Sequence, residues 1–347
     1  MATAVQPRIH EVPDDLLAAI DWCYEQGWTD GLPVVPPVVE RVKAMLAADA
    51  RPPETVISTH PATGLDLSLH AAAVNAVMAG CLPEYFPVVV AAFEAMDRPE
   101  FNFHGSTAST GGSAPLLVVS GPYADEIGMN ADVNLFGPGN RANATTGRAL
   151  RLVLLHIAGA VPGPGDASTQ GGPAKYSYCV AENLAGTPWQ GYAASVGVDA
   201  PSAVTVHCGE APHNVHDMES DSPAPILDKI ASAMATLGPN NVPISQGEFF
   251  IALCPEHAAT IAKDGWARRD IQSYLFQRAR IRAGRVHQAF ASLAWDPWMR
   301  GVPDDDLLPM TSHPDNIRVF VCGGAGKHSS VIPSWGMTKS VTLPVEP

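Results

Sequence analysis

Proline and glycine cut this chain into short pieces, and the pieces between the cuts are apolar and nearly uncharged. There are 32 prolines and 30 glycines among 347 residues. Punctuation on this scale, interleaved with strong apolar segments, means many tight turns between ordered elements rather than disorder. At 46 % hydrophobic and 16 % charged, the chain can bury a large core. Helical and strand periodicities alternate along it, so the expected class is α/β.

Taken in order, residues 14–26 carry Leu16, Leu17, Ile20 and Cys23 at helical spacing. Residues 27–37 form an extended, proline-stiffened arm, which must pack on the body or on another subunit. Helices are expected at 39–48, 68–79 and 87–96; the last two are apolar on most faces, the mark of a core or subunit interface. Strands are expected at 55–58, 116–120, 175–181, 249–254 and 317–322, with further helices at 144–160, 225–237, 255–263 and 268–282. Residues 102–113 read as a small-residue loop with His104 as the one titratable side chain. Asp304, Asp305 and Asp306 read as a solvated helix start rather than a metal cluster.

An internal echo links two stretches. Leu116-Leu-Val-Val-Ser-Gly-Pro leads through a turn to a long arginine-containing helix, and Phe249-Phe-Ile-Ala-Leu-Cys-Pro does the same. The expectation is two related helix–strand–helix halves with the site between them. The boundaries are 1–50 for the N-terminal helices and arm, 51–172 for the first half and 173–347 for the second.

The densest chemistry lies at 204–217, where a strand runs into a loop with His207, Cys208, Glu210, His213, His216 and Asp217. Strand alternation sends His207 and Cys208 to opposite faces, so the better metal ligands are Glu210, His213 and His216. A divalent transition metal is the candidate cofactor, and acid–base chemistry by the same groups is the alternative. Asn140, Arg141, Asn143 and Arg148 at the start of the 144–160 helix form the expected anion site, through free amides, dipole and guanidinium. The glycine run 323–326 with Lys327 and His328 is similar to a phosphate loop. His328 stands where Ser or Thr would be needed, so no nucleotide triphosphatase is expected.

Five segments together resemble a poorly characterised bacterial family, whose members are often encoded near small proteins bearing a selenocysteine/cysteine-Gly-Ser-Cys motif. They are T-D-G-L-P-V-V-P-P at 29–37, M-A-G-C-x-P-E-Y-F-P-V-V at 78–89, F-G-P-G-N-R-A-N-A-T-x-G-R-A-L-R-L at 136–152, E-A-P-H-N at 210–214 and G-G-A-G-K-H-S at 323–329. The resemblance implies functional positions at Glu210, His213, Asn214, Lys327, His328, Asn140 and Arg141, and names no activity. His207 and Cys208 lie outside its motifs.

A formal net charge of −14 argues against nucleic acid and anionic membranes as partners. No run of 18 apolar residues is present, and residues 1–13 lack the apolar core of a signal peptide, so a cytoplasmic protein is expected. The six cysteines are scattered and read as reduced thiols. The leading expectation is a homo-oligomeric enzyme acting on a small anionic organic substrate by lyase or hydratase chemistry. Arg141, Asn143 and Lys327 would hold the anion; Glu210, His213, His328 and His104 would move protons or bind metal. A thiol- or metal-dependent oxidoreductase using Cys81 or Cys208 is one alternative. A non-catalytic scaffold, with the arm and the uncharged helices as partner surfaces, is the other.

Overall fold

The structure, a computed structural model, describes residues 8–242, 247–290 and 297–347. It begins with α1 (Leu16–Glu25), α2 (Val39–Leu46), a hairpin of β1 (Val56–Thr59) and β2 (Asp66–Ser68), and α3 (Leu69–Ala79). Next come α4 (Phe86–Met96), α5 (Phe103–Ala108), β3 (Ala114–Ser120), α6 (Pro122–Glu126), α7 (Arg141–His156), β4 (Cys179–Ala181), α8 (Tyr192–Ser195), β5 (Ala203–Gly209) and β6 (His213–His216). The remainder is α9 (Pro223–Met234), β7 (Phe249–Leu253), α10 (Pro255–Lys263), α11 (Arg268–Arg278), β8 (Arg280–Arg282), α12 (Ala283–Ala289), α13 (Pro297–Arg300), β9 (Leu307–Pro309), β10 (Ile317–Val321), β11 (His328–Pro333) and β12 (Val341–Pro344).

Two mixed four-stranded sheets organise the α/β fold. One has the order β12-β5-β3-β4 and the other β6-β11-β7-β10. Position by position they are alike: β3 and β4 are parallel, as are β7 and β10, and all other neighbours in both sheets are antiparallel. The helices obey the same correspondence. α4 packs on β5 and β12 as α9 packs on β11 and β6, while α7 covers β4 as α11 covers β10. The echo between residues 116–122 and 249–255 therefore marks equivalent central strands.

The boundary at 172 falls elsewhere in space. β4 and β5 follow it and yet pair with or neighbour β3, so the related units run from α4 to β6 and from α9 to β12. The last strand of each unit leaves its own sheet and becomes the edge of the other. The two departing segments cross at a bridge between Gly209 and Ser334, flanked by Glu210 N donating to Pro333 O at 2.8 Å and Trp335 N to Cys208 O at 3.0 Å. A side chain at Gly209 would meet Ile332 Cγ2 at 2.8 Å, so the crossing needs a glycine.

Strand alternation sorts the core into layers. Leu117, Val119, Val204, Val206 and Cys208 face α3, α4 and α7; Ile251, Leu253, Val319, Val321 and Val331 face α9 and α11. Between the sheets lie Leu116, Val118, Val180, Phe250, Phe320 and Ile332. α4 is buried along almost its whole length within this one chain, so its apolar surface is core rather than subunit interface. The arm also packs on the body: Val34 is buried, Val35 N donates to Met78 O, and Trp22 and Trp28 meet edge to face.

Other differences from the expected elements are local. Residues 103–108 are helical because Asn102, at φ 52°, places its Oδ1 against Gly105 N. The helix expected over 268–282 stops at Arg278, and Arg280–Arg282 instead pairs with β9. Within 175–181 the strand is confined to Cys179–Ala181, behind a 3₁₀ turn. α7 starts three residues earlier than 144, capped by the Asn140 side chain. The Asp304–Asp306 turn precedes β9 rather than a helix, and Asp304 binds the His287 ring at 2.7 Å. Residues 286–298, aromatic and without a clear period in the sequence, take in the end of α12 and the start of α13, and residues 291–296 lie outside the described residues.

His207 sits in the inter-sheet layer, stacked on Phe250 at 4.0 Å, with neither ring nitrogen hydrogen-bonded. Burial, with Arg318 adding to it, pushes its pKa down to about 3. The unfolded chain thus binds a proton that the folded chain refuses between about pH 3 and 6.5, and stability is lost as pH falls through that window, by roughly 1.4 kcal/mol per unit. His207→Phe should flatten the acid limb of the stability–pH curve by up to that slope and be neutral or stabilising at pH 7, measured by urea unfolding from pH 4 to 8.

Candidate functional site

Open sheets place ligands beyond the carboxyl ends of their parallel strands. Here the ends of β7 and β10 open into a cleft of about 240 Å³. Its floor includes Ala252 and Cys322, one wall is the glycine run with His328 and Ser330, and the other is Val133–Phe136 from the first unit. The cleft therefore lies between the two units.

Register explains which polar groups reach it. β11 pairs with β6 so that His328 lies opposite His216 and Ser330 opposite Asn214. Val215 points to the outer apolar layer, so Asn214 and His216 point the other way, to the face that carries His328 and Ser330. The His216 and His328 rings stack at 4.8 Å, and His328 Nδ1 lies 3.0 Å from Asn214 Oδ1. A carboxamide oxygen only accepts, so Nδ1 of neutral His328 carries the proton and Nε2 keeps its lone pair. No residue among those described bonds Nε2. The amides of Gly324 and Ala325 in the same wall likewise have no partner among the described residues.

The expected metal set does not form. His213 lies on the face of Val215, opposite His216, because β6 is a strand and its side chains alternate. Glu210 is bound to Asn240 N at 3.2 Å, at the far end of the crossing. Burial raises its carboxyl above the usual range. Among the described residues no three ligating side chains are grouped to hold a metal. His104 is also elsewhere: it is exposed on α5, 5.8 Å from the His60 ring.

The expected anion site is occupied by the protein's own groups. Asn140 caps α7 and donates to Gly128 O; buried Asn143 exchanges two hydrogen bonds with the backbone of Asn130. Arg141 donates twice to Gly80 O, closing the end of α3. Arg148 holds Asp30 in a fork at 2.8 and 2.7 Å and adds the carbonyls of Leu32 and Pro33, which pins the arm. The glycine run does cradle a carboxylate, that of Glu256: Oε2 accepts from Gly326 N at 2.6 Å and Lys327 N at 2.8 Å. Lys327 Nζ donates to Met218 O.

Cys81 and Cys208, the thiols of the oxidoreductase alternative, are buried and pushed up by burial to about 12 and about 11. A different cysteine has an activated environment. Cys254 is the N-cap of α10, and its amide donates to Ser329 Oγ at 3.1 Å, which sets the residue beside His257 one turn on. His257 is itself held by Ser329 Oγ at 2.7 Å and Asp217 O at 3.0 Å. Burial opposes charge on both groups, yet the facing thiol and imidazole, with Ser329 beside the one and Asp217 O beside the other, outweigh it, lowering Cys254 and raising His257. The sequence signal was C-P-E-H opening a helix straight after a strand.

Comparison with protein-family models, with curated proteins and with solved structures gives no match. Among the described residues, no helix is long and apolar enough to cross a membrane.

The thiol arrangement is open to direct measurement. Far-ultraviolet thiolate absorbance should show one thiolate per chain persisting below the ordinary cysteine range. That signal should vanish in Cys254→Ser, move up in His257→Phe, and be unchanged in Cys81→Ser.

Proposed function

We propose that this protein is an enzyme that transfers a proton to or from a small anionic organic molecule held in the cleft between its two units. The observation that carries this reading is the state of His328. Its Nδ1 is fixed by Asn214, while its Nε2 lone pair is unpartnered on the cleft wall. That is the arrangement of a general base, with the second nitrogen's bond setting the tautomer. The free amides of Gly324 and Ala325 supply donors for a developing oxyanion on the same wall. Proton transfer plus oxyanion stabilisation is sufficient for lyase or hydratase chemistry, which is the class we assign. Membership of the bacterial family that the sequence resembles, a cytoplasmic location and a homo-oligomeric state belong to the same proposal. Self-association would use exposed Ile9, Leu16 and Leu17 rather than the buried helices.

The Cys254–His257 pair supports a second reading, thiol-dependent chemistry. Its weakness is access, since Cys254 is 2 % exposed.

The test is hydrogen–deuterium exchange at carbon. Hydroxy acids, their enoates and the corresponding keto acids are incubated with the protein in D₂O and followed by proton NMR. Exchange with at least one compound is expected. It should fall by 10²-fold or more in His328→Gln and by about tenfold in Asn214→Ala. Exchange that survives His328→Gln in a folded protein, or no exchange across the panel, would reject the reading.

A further inference from the structure

The other end of α7 carries a charged group that the cleft does not use. Arg148 and Arg151 lie one turn apart on this helix. Arg148 is engaged by Asp30, whereas Arg151 reaches toward the glycine- and proline-rich loop at 162–173. That loop returns Asp166 to the body, where it is 6 % exposed. Lys175 Nζ lies 2.8 and 2.7 Å from its two oxygens and 2.6 Å from Ser168 Oγ, and Arg151 Nη2 lies 3.2 Å from Oδ2. Burial pushes the Asp166 carboxyl up, but the bonds from Lys175 and Ser168 outweigh it, so the group is a carboxylate.

Charge does not balance here. Among the described residues Arg148, Arg151 and Lys175 pair with two carboxylates, Asp30 and Asp166, which leaves one formal positive charge in a chain of net −14. Side-chain exposure is 14 % for Arg151 and 13 % for Lys175. A cation so far withdrawn from water is costly unless an anion meets it. Arg151 still has Nε and Nη1 without a partner among the described residues. Both cations border a cavity of about 390 Å³. Asp30 and Asp166, each already paired, also border it; Thr29, Ser168, Gln170 and Tyr176 add neutral polar groups to its lining, and Leu155 an apolar wall. The volume suits a molecule of a few carbon atoms.

We propose that this cavity binds a small organic oxyanion, a carboxylate or phosphate, between Arg151 and Lys175. A guanidinium with two free donors beside an ammonium is the pairing that planar and tetrahedral oxyanions both accept. The assignment is independent of the role given to His328, because the test reads binding and not turnover.

The experiment is isothermal titration of the full chain with succinate and, separately, with inorganic phosphate. Saturable one-to-one binding of at least one is expected, with Kd on the order of 1 mM or tighter. The ligand that binds identifies the head group. Arg151→Gln should weaken binding at least tenfold. Asp166→Asn removes the competing carboxylate and should tighten binding of the same anion at unchanged one-to-one stoichiometry. Thermal melts establish that each variant is folded. Should Arg151→Gln not fold, Lys175→Gln and the exposed Gln170→Ala carry the test, with binding weakened in both. Absence of saturation by either anion in wild type up to about 20 mM, or unchanged affinity in the folded variants, overturns the proposal.

Discussion

Everything in this molecule depends on an exchange of edge strands. β6 is made by the first unit and hydrogen-bonds to the second; β12 is made by the second and hydrogen-bonds to the first. Each unit alone would leave a four-residue strand unpaired and a sheet edge open, both costly in backbone hydrogen bonds. The exchange fastens the sheets face to face around Phe250, Phe320 and Ile332, and removes the freedom to hinge between units. It also creates the cleft chemistry. His216 meets His328 only because a strand from one unit is zipped to a strand of the other.

The charged residues show a second regularity. Most that look like ligand-binding groups in the sequence are answered by the protein itself. Arg148 finds Asp30, 118 positions away in sequence; Arg141 finds the open end of α3; the glycine run finds Glu256. These are long-range pairings, and a buried ion pair held by several hydrogen bonds fixes geometry even where its net contribution to stability is small. The exceptions are the groups whose surroundings remain incomplete: His328 with one free nitrogen, and the Arg151–Lys175 pair with one carboxylate too few.

What could be read from sequence follows from the range of the forces involved. α10 (Pro255–Lys263) was legible to the residue because Pro255 and the apolar spacing are local. The central strands β3 and β7, and the echo between them, were legible for the same reason. The His216–His328 contact was not, because nothing local tells that residues 213–216 form a strand or which strand receives it. The same blindness made Glu210, His213 and His216 look like one ligand set, when alternation along β6 divides them. Asp166 was passed over in a glycine- and proline-rich boundary and Lys175 as the start of a strand, whereas burial of one carboxylate against two cations is visible only in space.

The exchanged strand also fixes an order of events in the cell. A ribosome delivers the first unit's β3, β4 and β5 well over a hundred residues before it delivers β12, which closes their edge. For that interval the nascent first unit holds an open sheet, and β6 waits without a partner. Pairings of such sequence separation form slowly. The polypeptide therefore carries a strand-shaped vacancy during its synthesis, and its yield in a cell depends on how well that vacancy is shielded until β12 emerges.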